Sequence, residues 1–200
     1  MPLIKLNNRS IKDVTSLPFG VGNLIHIQSQ TASNSASISF TTGINSTYKE
    51  YQFYLINIRG VNTSNFQFNL STDSGSNYNV TKTSTWFTAY QNENGTGATL
   101  EYSTSVDLAQ STAFQHIIGV SNDADTCAGG TISLFNPANT TYVKHFIGTA
   151  NSTYGTGASS GTENSYVAGY GNTTSAINAI QFKFASGNIA DGTIAMFGVV

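Results

Sequence analysis

The stretch "AIQFKFASGNIADGTIAMFGVV", residues 179–200, decides the fold class. Ile180, Phe182 and Phe184 alternate with Gln181 and Lys183. This is the period-two pattern of a strand with one buried face, because successive side chains of an extended chain point to opposite sides. Gly187-Asn188 and Asp191-Gly192 then supply residues that tolerate the positive φ of tight turns, so the stretch reads as a hairpin. The closing "TIAMFGVV", 193–200, is apolar at nearly every position. Such a run stays ordered at a chain end only as a strand inside a sheet. Ile180, Phe182, Phe184, Ile194 and Met196 are therefore expected in the core.

Short alternating or apolar runs of the same kind fill the rest of the chain: "NLIHIQ", "SISF", "YQFYLINIRG", "NFQFNLS", "WFTAY", "ATLEYS", "FQHIIGV", "TISLF", "YVKHFIG" and "SYVAGY". Turn clusters of Gly, Asn, Ser and Asp separate them at an irregular beat of about ten residues, the spacing of an antiparallel sandwich or barrel. No segment sustains a helical period, and "SVDLAQS", 105–111, could form one turn at most. The expectation is an all-β chain, an antiparallel β-sandwich of jelly-roll-like form. Three low-complexity stretches, 29–37, 91–98 and 149–165, lack apolar anchors and read as exposed loops. Composition does not shift along the chain and no fixed-period repeat occurs, so residues 1–200 read as a single unit.

Two hundred residues can bury roughly 70% of the unfolded surface without disulfides or metals. Charged residues make up 9% of the chain against about 25% in an average domain, so hydroxyls and amides carry solubility. Twelve Phe and ten Tyr with net charge −2 argue against disorder. Eight basic against ten acidic residues leave no basic stripe to neutralise phosphates, so no nucleic-acid partner is expected. No apolar window approaches the ~20 residues of a membrane span, and the N-terminus turns polar before a signal-peptide core could form; no membrane association is expected. The lone Cys127 excludes an internal disulfide and suits folding in a cytosol. In that setting the nine Asn-x-Ser/Thr matches are chance products of an Asn-, Ser- and Thr-rich chain.

Residues 1–20 carry three of the eight basic residues, Lys5, Arg9 and Lys12, and lack the Gly-rich turns found elsewhere. Leu3, Ile4, Leu6, Ile11 and Val14 suit either a lead-in strand or an arm docked on a neighbouring subunit. Few Lys or Pro residues blunt the strand edges that a sandwich exposes, which favours a closed homo-oligomer, a trimer before other states.

Several patterns invite chemistry. "GASSG", 157–161, matches the nucleophile-elbow pattern around Ser159, but it lies in a Gly/Ser loop with no helix after it. Asp123, Asp125 and Cys127 alternate in "SNDADTCAGG", with His116 and His145 on flanking strand patterns. Hard oxygen ligands and a soft thiolate make a mixed set, so a solvated loop is expected and no metal or other cofactor. His26, His116 and His145 all fall in strand patterns with no partner spaced for a triad. Among ten acidic residues no pair stands out as a glycosidase dyad. "STDSGSNY", 71–78, resembles the Asp-box turn of sialidase-like propellers, in which Asp73 would bond the turn backbone, Gly75 would supply positive φ and Tyr78 would pack beneath. Trp86, Phe87 and Tyr90 run into a polar loop, and aromatic faces beside amides are how sugars are gripped. Trp86 and Tyr90, with Tyr154 from the 149–165 segment, are the candidate glycan contacts.

Taken in order, "YQFYLINIRG…NFQFNLSTDSGSNY", "TISLFNP" and "AIQFKFASGNIADGTIAMFGVV" resemble a group of phage virion proteins, marine phages among them, over about residues 50–200. The likeness lies in a strand, a "STDGGS"-type turn, an "I-x-L-x-NP" strand and a closing "SGxIxxGTxxLYGV"-type segment, with Met196-Phe197 in place of Leu-Tyr. The resemblance implies a noncatalytic virion building block: a capsid decoration protein, a tail or fibre component, or a host-attachment knob. Its partners would be other virion proteins and a host surface glycan, and its location the virion after synthesis in the host bacterial cytoplasm. The competing class is a carbohydrate-binding or glycan-hydrolysing module.

Overall fold

The computed structural model describes residues 24–154 and 160–200. The arm residues Leu3, Ile4, Leu6, Ile11 and Val14, and Ser159, lie outside the described residues. Each expected run forms a strand: β1 Leu24–Thr31, β2 Ile38–Phe40, β3 Glu50–Gly60, β4 Ser64–Ser71, β5 Lys82–Asn92, β6 Ala98–Tyr102, β7 Gln115–Val120, β8 Ala128–Phe135, β9 Lys144–Tyr154, β10 Gly161–Gly171, β11 Ala179–Phe184 and β12 Ile189–Val199. No helix occurs among the described residues, and 105–111 holds turns, bends and the isolated bridge of Ser111 to Lys82. The protein is an antiparallel β-sandwich. Its larger sheet has the order β1-β12-β3-β8-β9-β10-β5-β6, and the smaller one β2-β11-β4-β7.

Two sequence expectations need correction. The closing segment is not a hairpin: β11 pairs with β2 and β4 in the smaller sheet, whereas β12 pairs with β1 and β3 in the larger. The turn at Gly187 (φ +78°) therefore carries the chain across the sandwich. Asp191-Gly192 lies within β12, where the pairing with β3 shifts register. Gly192 has φ +117°, and a Cβ there would meet the Asn57 carbonyl oxygen at 2.6 Å, so the bulge admits only glycine. The alternation that suggested a hairpin reports burial, and both strands bury a face without facing each other. The second correction concerns 149–165. Most of it is strand, the ends of β9 and β10, which pair from Gly161↔Tyr154 inward; small and polar side chains pair here because one face of this flank is solvated.

The core lies between the sheets. Phe182 sits among Phe40, Phe53, Phe66 and Phe68, with ring centroids 5.6–6.4 Å away. Ile180, Phe182, Ile194 and Met196 are fully buried and Phe184 nearly so, as the alternation requires. Two lysines are also buried. Lys82 Nζ donates to Asn69 Oδ1 (2.5 Å) and the Val80 carbonyl (2.7 Å); Lys144 Nζ donates to the carbonyls of Tyr142, Thr173 and Thr174. These acceptors satisfy each amine and offset the cost of burying it. The turn at 71–77 forms as its sequence indicates. The Asp73 carboxylate accepts from Ser71 Oγ and the Asn77 backbone N–H (2.6 and 2.9 Å), while Gly75 takes φ +88° with Tyr78 packed against it.

The sheets are unequal, and this positions the candidate site. Strand β7, the edge of the smaller sheet, lies over β9 and β10: Ser152 Oγ on β9 donates to the Gly119 carbonyl (2.8 Å). Beyond that edge the inner face of β10, β5 and β6 continues without a covering strand among those described.

Candidate functional site

Register places the side chains of this overhang. Directly opposed residues share a face, so Ile132, Gly148, Val167 and Trp86 form one inward row across β8, β9, β10 and β5. The next row runs Ala150, Ser165, Thr88, Glu101, and the one after it Ser152, Glu163, Tyr90, Thr99. The first row stays apolar out to Trp86, while the second and third pass from small over the core to polar at the flank. The change follows cover: under β7 a side chain must be apolar or fully bonded, and beyond it water is available.

There the inner face opens into a cleft of about 290 Å³ lined by Trp86, Thr88, Tyr90, Glu101, Ser103, Val106, Tyr154 and Glu163. All three aromatic residues singled out from the sequence meet here. Trp86 is largely buried; its indole Nε1 donates to the Ile117 carbonyl (3.0 Å), which fixes the ring between the sheets. Tyr90 and Tyr154 are half-buried and pack edge to face, with centroids 6.0 Å apart and planes at 83°. The Tyr154 hydroxyl is hydrogen-bonded to Asn92 Oδ1, which holds this ring from the end of β5.

The two carboxylates were not legible as a pair. Glu163 is half-buried, and Thr88 Oγ1 donates to its Oε1 at 3.0 Å. Burial pushes its carboxyl above the usual range; the Thr88 hydrogen bond pulls it back, and the charge of Glu101 raises it again. Glu101 is exposed at the rim, directly across the ladder from Thr88. No Lys, Arg or His among the described residues is within salt-bridge distance of either; the ion pair found among those residues is Arg59–Asp191, at 2.7 Å. A desolvated carboxylate normally has such a partner. Glu163 and Tyr154 also line a second hollow of about 390 Å³ on the other side, with Asn65, Gly119 and Ser121.

The other candidates do not join this site. His116 is buried against Trp86, centroids 5.0 Å apart, with Nδ1 unbonded. His26 and His145 lie on the outer face of the larger sheet, beside Phe197 and Tyr170. Among the described residues no group of three His, Cys, Asp or Glu side chains is placed to hold a metal ion; Asp123 instead caps its own loop, accepting from Ser121 Oγ and Thr126 Oγ1. No described helix is long and apolar enough to cross a membrane.

The outer face of the same flank carries an aromatic row among polar side chains. Tyr102, Phe87 and Tyr166 are opposed in register across β6, β5 and β10. Phe87 stacks on Tyr166 at 4.8 Å and 14°, and Tyr102, Ile147 and Leu100 are 50%, 56% and 71% exposed. Comparison with protein-family models, with characterised proteins and with solved structures gives no match for this chain.

Proposed function

We propose that the protein is a noncatalytic structural component of a phage particle, displayed on the virion as a capsid decoration protein or as part of the tail or its fibres. It is made in the bacterial cytoplasm and assembles as a homo-oligomer, a trimer in the favoured form, against other virion proteins. The observation that carries this reading is the order of strand pairing. Strands β1–β12, β2–β11, β3–β8 and β4–β7 pair in a nested series, as in one long hairpin rolled into two sheets. We read this order as jelly-roll-like, an architecture of viral capsid and lectin domains. The β5–β6 and β9–β10 strands are then additions that widen one sheet. The exposed Tyr102, Phe87, Tyr166 and Ile147 side chains support the reading too, since exposed apolar side chains grouped in this way suit a contact with a neighbour.

Gradient-purified particles of a phage encoding the chain should contain it, and a particle map should show density fitting the sandwich on the outside. Light scattering of the purified chain should report a multiple of 21.2 kDa. Particles that lack the chain by mass spectrometry would refute the assignment. A second reading, a carbohydrate-binding module, is favoured by one observation: Trp86, Tyr90 and Tyr154 converge on one cleft. Saturable binding on a glycan array, lost in Tyr90→Ala, is its test.

A further inference from the structure

We propose that the cleft between β5, β6 and β10 binds a small organic ammonium ion, held by the rings of Trp86, Tyr90 and Tyr154 and by the carboxylates of Glu163 and Glu101. The inference rests on the cleft geometry and goes beyond the virion assignment; it gives a ligand class to the site that the carbohydrate reading also uses.

Three features converge on a cation. Aromatic rings offer the negative faces of their quadrupoles to a cation, and Tyr90 and Tyr154, in mutual edge-to-face contact, line the cleft together with Trp86. The walls contain two acidic residues and no basic one. Glu163, moreover, is half out of water with one hydroxyl donor, Thr88 Oγ1, as its hydrogen-bond partner. A carboxylate so placed is costly unless a positive group compensates it, and among the described residues none is near. A bound organic cation would supply that compensation and favour the ionised carboxylate. Mutual repulsion between Glu163 and Glu101 is relieved by the same charge. The cleft, at about 290 Å³, lies at the lower end of the roughly 300–1,000 Å³ range of ligand sites, which limits the occupant to a trimethylammonium head or a single amino-sugar ring. A bare metal ion is opposed because no group of three His, Cys, Asp or Glu side chains is placed to hold one among the described residues, and two carboxylates fall short of the six to eight oxygen ligands that calcium takes.

The protein carries its own reporter, since Trp86 is the only tryptophan and lines the cleft. Its fluorescence, excited at the red edge to exclude tyrosine, is followed while the purified full chain is titrated at low salt with choline chloride, glucosamine hydrochloride, N-acetylglucosamine and glucose. Saturable change with choline or glucosamine, and at least about tenfold weaker response to the two neutral sugars, is the expected result. Comparing the two cations separates a quaternary ammonium source from an amino-sugar source. Glu163→Gln keeps the Thr88 hydrogen bond while removing the charge, and should weaken binding about tenfold or more. Tyr90→Leu, which removes a ring face, should weaken it by several fold; Asp125→Asn, an acidic site elsewhere, should leave affinity unchanged. Circular dichroism checks that each variant is folded. Equal response to glucose and glucosamine, wild-type affinity in Glu163→Gln, or no response to either cation would each overturn the proposal. None of these outcomes touches the virion assignment, which stands or falls on the particle experiment.

Discussion

Replacing His116 by Leu should remove much of the protein's acid sensitivity. The imidazole is buried against Trp86 with Nδ1 unbonded, so a proton gained there is an unpaired interior charge. Burial accordingly pushes its pKa down from 6.5 to about 4. Between those two values the unfolded chain binds a proton that the folded chain refuses. The stabilisation is therefore fully present above pH 6.5 and is lost as pH falls towards 4. At 1.36 kcal/mol per unit the whole depression is worth about 3 kcal/mol, of which about 2 kcal/mol is gone at pH 5. For a chain of this size about 2 kcal/mol corresponds to roughly 4–8 °C in Tm. Glu163 works in the opposite sense, because its carboxyl is raised and the folded state binds the extra proton first. That contribution is common to both proteins and cancels in the difference between them. The assay is thermal unfolding followed by circular dichroism from pH 7.5 to 4.5 at fixed ionic strength. Wild type should lose Tm through this window by several degrees more than His116→Leu, which matches the ring in volume and cannot titrate. Parallel pH profiles for the two proteins would refute the claim that His116 is buried without a partner for its proton.

Truncating Phe182 to Ala, at the centre of the five-ring cluster with Phe40, Phe53, Phe66 and Phe68, should cost about 3–5 kcal/mol in urea unfolding; a loss under about 1 kcal/mol would show that the two sheets do not meet there. Lys82 is desolvated, and its pKa falls from 10.5 to about 7, so the folded state binds fewer protons between those values and stability should rise with pH across the window. Wild type should be more stable at pH 9 than at pH 7.5, with the difference reduced in Lys82→Met; an unchanged difference would mean that the ammonium stays hydrated.

The sequence by itself determined where most strands lie, the ends of β9 and β10 excepted, and that Ile180, Phe182, Phe184, Ile194 and Met196 build the core, because both are local matters. Alternation at Ile180, Phe182 and Phe184 needs only a period of two and the cost of wetting apolar rings, and the 71–77 turn is set by Ser71, Asp73 and Gly75 within a few residues of one another. Trp86, Tyr90 and Tyr154 were legible as candidates because exposed-loop chemistry beside aromatic rings is visible in a string of residues. Pairing was not legible. The 179–200 segment reads as a hairpin, yet its strands lie in different sheets, since a buried face fixes alternation and leaves the partner free. The inner face of β6 was equally hidden. In "ATLEY" the apolar Leu100 and Tyr102 look like the buried side, but pairing with β5, whose Trp86 and Tyr90 point inward, fixes parity and turns Thr99 and Glu101 into the cleft. Glu101 and Glu163, far apart in the chain, become neighbours only through the register of β6, β5 and β10. What the tertiary structure decided is which face is inside where one sheet outruns the other. An isolated strand carries no information on that point, because cover is a property of the opposite layer.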